Sequence, residues 1–272
     1  MDNLFIDKIR KNDLENFISI CKLLKFEFDE VKFQQIVNST LKYLNGDKSQ
    51  RDDLRVMQEM ENSWYESLKN GSPDYSVYDN VYYLADTWVC WKKYSREYLK
   101  RIQIKTSMGL NSIKEDICVN KIVDLGCGIG YSTAALKDIF KCEVYGTNIR
   151  DTKQFKICEI ISQKSNFKLV DNLDVIGSAD MVFASEYFEH FEKPVEHLVE
   201  VISKLNPKYI LFANTFNAKS IGHFDIYYYN GLRYNGRQIS KMFNKRLISL
   251  GFKKVETSCW NNRPSYYKKY GE

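Results

Sequence analysis

From Lys121 onward, short apolar runs alternate with stretches in which apolar residues recur every three or four positions. Short runs are typical of buried strands, and the wider spacing is typical of amphipathic helices. Their alternation predicts an α/β fold with a doubly wound, mostly parallel, Rossmann-like sheet. The predicted strands are 121–124, 143–147, 167–170, 180–184 and 209–214, and the predicted helices are 131–140, 152–163, 194–205 and 237–250.

The pattern changes after the fifth predicted strand. The segment 217–235 is rich in Tyr and Asn and predicts irregular structure. Apolar residues return in 253–260 and 266–270, on either side of a turn-forming Asn-Asn-Arg-Pro sequence. We expect these two stretches to form an antiparallel hairpin that closes the sheet.

The first 110 residues have the periodicity of helices instead. Aromatic residues are more frequent near the last of these helices than one buried stripe requires, and Tyr78, Tyr82 and Tyr83 are among them. Core packing explains most of them, and the lining of a substrate pocket is the alternative for some. We therefore predict an N-terminal helical cap, residues 1–115, on a sheet domain, residues 116–272. The predicted helices of the cap are 33–44, 54–68 and 81–102.

A glycine-rich loop follows the first predicted strand. The sequence Asp-Leu-Gly-Cys-Gly-Ile-Gly places glycines at 126, 128 and 130, immediately before a helix. Glycines allow a tight turn and a close approach of a ligand to the backbone, and the free N–H groups of the helix start favour a polar ligand. The spacing differs from the dinucleotide pattern, in which Gly or Ala would replace Tyr131.

This loop resembles motif I of the class I S-adenosylmethionine (SAM) methyltransferases. The alternative is a glycine-rich turn in another α/β protein. The resemblance implies that SAM lies across the carboxyl ends of the first four strands. The residues that it assigns to cofactor binding are Asp124, Gly126, Cys127, Gly128, Gly130, Asn148, Asp171 and Glu186.

Two of these residues need comment. Asn148 stands where the family usually has an acidic residue that accepts both ribose hydroxyls. Because Asn lacks the charge of a carboxylate, we expect Asn148→Asp to tighten SAM binding. Asp171 aligns with the acidic residue that usually meets the adenine amine, and an ordinary turn residue is the alternative.

The sequence after the fourth strand, Ala-Ser-Glu-Tyr-Phe-Glu-His-Phe-Glu-Lys-Pro, resembles that of the ubiquinone- and menaquinone-type methyltransferases. Within it, Glu186, Glu189 and His190 share one face of a helical turn. With His223 they resemble the metal site of the 2′-O-methyltransferases of small RNAs. Carboxylates with imidazole suit Mg²⁺ or Mn²⁺. The alternative is a helix start of the kind found in metal-free relatives.

Composition excludes several classes of protein and of chemistry. Seven scattered cysteines without Cys-x-x-Cys indicate neither a disulfide framework nor a zinc site, and we expect a reducing, cytoplasmic location. We find no apolar run that spans a membrane and no signal peptide. The chain lacks Pro-Pro and Pro-Cys, which the base-amino and cytosine-C5 DNA methyltransferases need. The net charge of +5 permits an anionic partner without demanding one.

Together these features predict a SAM-dependent methyltransferase that acts on an oxygen or nitrogen of a small molecule, such as a sugar, a phenol or a secondary metabolite. Methylation of RNA ends is an alternative, although nucleic acid is not the favoured partner. A non-catalytic SAM-binding subunit is a further alternative. The candidate catalytic residues are His190, Glu189 and His223, with His190 the first choice as general base.

Overall fold

The computed structural model describes residues 16–44, 55–93, 99, 102–106, 109–258 and 264–271. Its centre is a seven-stranded sheet in the order β10-β11-β7-β6-β3-β4-β5. The five strands from β7 to β5 are parallel, and β11 and β10 are antiparallel at one edge. The predicted doubly wound sheet with its closing hairpin is therefore confirmed. The strands are β3 (Lys121–Leu125), β4 (Glu143–Thr147), β5 (Lys168–Val170), β6 (Met181–Ser185), β7 (Tyr209–Ala213), β10 (Phe252–Val255) and β11 (Ser265–Lys269).

Helices cover both faces of this sheet. Those of the sheet domain are α6 (Tyr131–Phe140), α7 (Lys153–Ser165), α8 (Pro194–Leu205) and α9 (Gly236–Ser249). The bounds agree with the predicted ones because each helix has a clear apolar stripe and a local start signal. In α9, for example, Asn235 and Gln238 form a capping box.

The cap contains helices α1 (16–23), α2 (Glu30–Leu44), α3 (Arg55–Lys69) and α4 (Val81–Lys93), and a 3₁₀ segment, Tyr75–Asp79. Asp29 caps α2 by accepting hydrogen bonds from the N–H groups of Val31 and Lys32. The predicted long helix 81–102 is confirmed as far as Lys93, and Ile102 at its predicted end is not helical. Its continuation over 94–98 and 100–101 lies outside the described residues, as do the predicted stop of α2 at Gly46 and the turn at 261–263.

Two hairpins occupy segments for which sequence analysis predicted no strands. The first pairs β1 (Gln103–Thr106) with β2 (Gly109–Ser112), which leads into the short helix α5 (Ile113–Asp116). The second pairs β8 (Ile226–Tyr229) with β9 (Leu232–Asn235) inside the segment predicted to be irregular. Its turn is Asn230-Gly231, with φ of 49° and 74°, and Asn-Gly is a strong hairpin signal that we had overlooked.

The cap and the sheet share their apolar cores. Ile122 of β3 packs in one core with Phe33 and Trp88 of the cap, whereas its neighbour Val123 packs on the opposite face with Trp64. Successive residues of a strand point to opposite faces, so the cap contributes to both layers. The boundary between the cap and the sheet domain, at 115 and 116, stays a prediction. Deletion of the cap would expose both cores, so point substitutions are the better test of its role. None of the helices described is long and apolar enough to cross a bilayer.

Candidate functional site

The glycine loop, residues 126–130, leaves β3 at the carboxyl edge of the sheet, between β6 and β4. A Cβ on Gly126 would lie 2.4 Å from the ring of Tyr187, and one on Gly130 would lie 2.9 Å from both Cys158 Sγ and the Phe167 ring. A Cβ on Gly128 would meet only the Gln154 side chain, at 3.9 Å. Gly126 and Gly130 thus permit close packing, and Gly128 leaves open space beside the backbone for a ligand.

Asp124 holds the loop in shape from inside the protein. Its buried Oδ2 accepts hydrogen bonds from Ser132 Oγ at 2.7 Å and Thr133 Oγ1 at 2.6 Å, at the start of α6. Burial raises the pKa of Asp124 to about 7, although these two donors oppose the rise. Direct contact of Asp124 with SAM stays a prediction, and the observed contacts support the loop.

Cys127 also faces the protein interior. Its N–H donates to the carbonyl of Thr147 at 2.9 Å, and its buried Sγ lies 3.6 Å from Cys158 Sγ. It would lie 2.8 Å from a Cβ at Gly146, so a glycine in β4 makes room for the thiol. Cys127 therefore fastens the glycine loop to β4, and a contact with the cofactor stays a prediction.

Asn148 follows β4 and serves the same loop. Its Nδ2 donates to the carbonyl of Gly128 at 2.6 Å, and its Oδ1 accepts from the N–H of Ile149 at 2.8 Å. The side chain is thus engaged as a donor to the loop instead of as the free acceptor that the sequence suggested. Asp171 follows β5, where its Oδ2 accepts from Arg150 Nε at 2.5 Å, a contact that lowers the pKa of Asp171.

We therefore expect Asn148→Asp to weaken SAM binding, which reverses the expectation from sequence. A carboxylate cannot donate to the Gly128 carbonyl and would repel it, so the loop loses a hydrogen bond beside the ligand. The loss should be roughly tenfold in affinity, or about 1.4 kcal/mol. Calorimetry with SAM measures it, with Asn172→Asp as control because the Asn172 side chain acts as an acceptor that Asp preserves. Tighter binding of SAM by Asn148→Asp would instead indicate that residue 148 accepts hydrogen bonds from the ribose hydroxyls.

A second group of polar residues lies at the carboxyl ends of β6 and β7. Glu186, Glu189 and His223, named here the carboxylate cluster, each offer one ligand atom, and these atoms lie within 4.8 Å of one another. Glu186 directly follows β6 and has a left-handed backbone with φ of 49°, a strained conformation of the kind found at functional sites. The contact of its neighbour Tyr187 with Gly126 places the cluster beside the glycine loop.

Thr215, two residues beyond β7, holds both carboxylates. Its N–H donates to Glu189 Oε1 at 2.6 Å, and its hydroxyl donates to Glu186 Oε1 at 3.0 Å. Thr215 was not among the predicted site residues, since nothing in its local sequence indicates a role in the site. Its place after β7, the strand beside β6, could have suggested it.

The cluster fits a divalent cation. Glu189 is fully buried, and its Oε2 has no hydrogen-bond partner among the described residues. The Nδ1–H of His223 donates to the carbonyl of Ala218 at 2.9 Å, which leaves Nε2 as the free ligand atom, 3.8 Å from Glu186 Oε2. A buried carboxylate oxygen without a donor, beside an imidazole in the ligating tautomer, is the arrangement that a metal site needs.

Burial also sets the protonation of the cluster. Burial raises the pKa of Glu189 well above its usual range, and the neighbouring Glu186 carboxylate raises it further. A bound cation would oppose this rise by stabilising the charged form of Glu189.

His190 is not in this cluster. Its Nδ1 lies 2.7 Å from Tyr78 Oη of the cap, and its ring packs against that of His223 with centroids 4.8 Å apart. Burial and the His223 ring lower the pKa of His190 to about 3. A general base works best with a pKa near the working pH, so this low pKa does not favour His190, and its role as general base stays a prediction.

The cap anchors the segment that carries His223. Trp64 Nε1 donates to the carbonyl of His223 at 2.7 Å, and the Tyr65 hydroxyl accepts from the N–H of Ser220 at 3.2 Å. Both residues are on α3, and their contacts cross about 155 positions of sequence. The cap thus helps to position the site, and the lining of a substrate pocket by aromatic residues near α4 stays a prediction.

Comparisons with known proteins agree with this fold. Residues 123–213 match a family model described as a methyltransferase domain. The chloroplastic tocopherol O-methyltransferase of Arabidopsis thaliana is 26% identical over 107 residues, which are 36% of this chain. The chain spans about a third, 31%, of the length of that curated relative.

Two solved structures share the fold at low identity. The mitomycin 7-O-methyltransferase MmcR aligns over 78% of this chain and 66% of its own, with 10% identity and a TM-score of 0.53. A candidate O-methyltransferase from Nostoc punctiforme aligns over 86% of this chain and 72% of its own, with 12% identity and a TM-score of 0.52. The family match identifies residues 123–213 as a methyltransferase domain, and the fold around them is that of the class I SAM-dependent methyltransferases.

Proposed function

We propose that the whole chain transfers the sulfonium methyl group of SAM to an oxygen of a small molecule. The acceptor oxygen attacks the methyl carbon, the S–CH₃ bond breaks with its electron pair passing to sulfur, and the acceptor proton passes to a base. The observation that carries the proposal is the contact of Gly126 with Tyr187. It sets the glycine loop, with its open side at Gly128, directly beside Glu186 and the carboxylate cluster.

In this proposal the protein works by alignment and by exclusion of water. The glycine loop holds SAM across the carboxyl ends of β3, β4 and β6, the usual ligand position in such sheets. When no cation is bound, Glu189 is preferred to His190 as the proton acceptor, because its Oε2 has no hydrogen-bond partner among the described residues and burial lowers the pKa of His190 to about 3. The cap covers the acceptor side through Tyr78 and Trp64.

Glu186, Glu189 and His223 would hold a divalent cation, Mg²⁺ or Mn²⁺, in this proposal. When bound, such an ion supplies a Lewis acid that holds the acceptor oxygen and lowers its pKa. The three residues themselves fix its position, and Thr215 orients the two carboxylates.

Methylation of a ribose hydroxyl at an RNA end is the second candidate. The observation in its favour is that Glu186, Glu189 and His223 converge, since this set resembles that of the metal-dependent RNA enzymes. The third alternative, a non-catalytic subunit, rested only on the missing acidic residue at 148. Asn148 has a use of its own in the loop, so its identity no longer favours that alternative.

The test is transfer of labelled methyl from SAM to a panel of phenols, sugars and short RNAs, with Mn²⁺ or with EDTA. We expect S-adenosylhomocysteine (SAH) to form with a small hydroxyl compound and its formation to fall at least about tenfold in EDTA, as expected for loss of a metal that activates an oxygen. Transfer to RNA alone would replace the first candidate by the second. Full turnover in EDTA, with no gain from Mn²⁺, would show that the reaction needs no metal. No transfer to any acceptor would contradict the proposal.

A further inference from the structure

The 3₁₀ segment of the cap, Tyr75–Asp79, crosses the crevice in which the cofactor is proposed to lie. Asp79 accepts a hydrogen bond from the N–H of Lys153, the first residue of α7, on the β4 side of the glycine loop. The preceding residue, Tyr78, contacts His190, on the β6 side. Two consecutive cap residues therefore contact opposite sides of the crevice, since β3 lies between β4 and β6.

The contact between Tyr78 and His190 requires a glycine at position 222. A Cβ on Gly222 would lie 1.6 Å from Tyr78 Oη and 2.6 Å from His190 Nδ1, so any other residue would separate the two groups. The backbone at Gly222 also has φ of 82°, which favours glycine. The Tyr78 and His190 rings meet nearly at right angles, with centroids 5.7 Å apart. The pair thus has a fixed, tightly packed geometry.

The groups around the imidazole include hydrogen-bond acceptors as well as the Tyr78 hydroxyl. The backbone carbonyls of Gly222 and Glu186 also face His190, and a carbonyl can only accept a hydrogen bond. A neutral imidazole has one N–H, which these carbonyls attract, and one nitrogen that accepts. Burial raises the pKa of Tyr78, so the phenol keeps its proton and can donate it to Nδ1.

We propose that Tyr78 is a positioning residue for the methyl-acceptor site. Its O–H donates to His190 Nδ1 and fixes the Nε2–H tautomer and the orientation of that ring. The ring in turn packs edge to face, at 83°, on His223 and holds it toward Glu186 and Glu189. Because Tyr78 belongs to the cap, the cap supplies a contact that completes the acceptor site. The effect of Tyr78 on methyl transfer rests on the proposed function, but the hydrogen bond between Tyr78 and His190 can be tested without it.

The test is the long-range ¹H–¹⁵N correlation spectrum of the histidine rings in the full-length chain. The chain has three histidines, so comparison with His190→Gln assigns the His190 signals. We expect a single Nε2–H tautomer in the unmodified protein. Tyr78→Phe should shift the Nδ1 resonance to that of a nitrogen without a hydrogen bond and mix the tautomers. Tyr75→Phe, in the same segment and half exposed, is the matched control and should leave the signals unchanged.

Two results would overturn the inference. An Nδ1–H tautomer in the unmodified protein would do so without any variant, even if Tyr78→Phe failed to fold. An unchanged His190 spectrum in folded Tyr78→Phe would do so as well. Once a methyl acceptor is known, Tyr78→Phe should lower kcat about tenfold and change the KM for SAM less than twofold. Unchanged kcat would refute only this inference, whereas an absence of any methyl transfer with the expected spectra would refute only the proposed function.

Discussion

Gly128→Asp should abolish measurable SAM binding and leave the protein folded. A side chain at this position meets no backbone, only the end of Gln154, and Asp is among the residues that tolerate the left-handed φ of 57° at a modest cost in strain. The new carboxylate would fill the open space beside the loop and would repel the carboxylate of SAM. We expect at least about a hundredfold loss of affinity, or about 2.7 kcal/mol, by calorimetry.

Gly177→Asp is the control for this change. Gly177 has a similar left-handed backbone, with φ of 71°, and no atom lies within 4 Å of the added Cβ. It is in the loop before β6, away from the glycine loop, and should bind SAM as the unmodified protein does. Near-normal affinity of folded Gly128→Asp for SAM would show that the glycine loop is not part of the cofactor site.

Glu189→Gln should abolish binding of Mn²⁺ at the carboxylate cluster. The amide keeps an oxygen for the N–H of Thr215 but loses the charge, and it places an NH₂ group or a neutral oxygen where the unpartnered Oε2 stands. Loss of a direct ligand should cost more than the roughly tenfold that loss of a supporting contact typically costs. Electron paramagnetic resonance of free Mn²⁺ measures the affinity without any acceptor.

Glu192→Gln is the matched control, since it makes the same chemical change three residues away at an exposed side chain. It should bind Mn²⁺ as the unmodified protein does. Equal affinity of both variants would place the ion elsewhere. No binding of Mn²⁺ by the unmodified protein would contradict the metal site.

The sheet could be predicted from sequence because local patterns determine its elements. The bounds of α8, for example, follow from Pro194 at its start and the apolar stripe of Val195, Leu198 and Ile202. The β8–β9 hairpin lacks strict alternation, so the Tyr-rich strands were overlooked although the Asn-Gly turn was present. The strands of the β1–β2 hairpin are short and contain one apolar residue each, so no alternating pattern predicts them.

The candidate site was predictable where its residues lie on one strand end and not where they come from distant segments. Glu186 and Glu189 stand in one short motif after β6, and the order of the strands brings His223 near them. The contact of Tyr78 with His190 joins positions 112 residues apart and depends on how the cap packs, which no local pattern specifies. The role of Asn148 was likewise missed, because its partner is the backbone of Gly128 and not a side chain.

The most direct test of the account is a crystal structure of the full chain with SAH and Mn²⁺. The account predicts SAH across the carboxyl ends of β3 and β4, in contact with the backbone at Gly128, with its sulfur directed toward the carboxylate cluster. It also predicts an anomalous Mn²⁺ peak within about 2.6 Å of ligand atoms of Glu186, Glu189 and His223. SAH bound outside this crevice, or a cluster that stays free of Mn²⁺ at a saturating concentration, would contradict it.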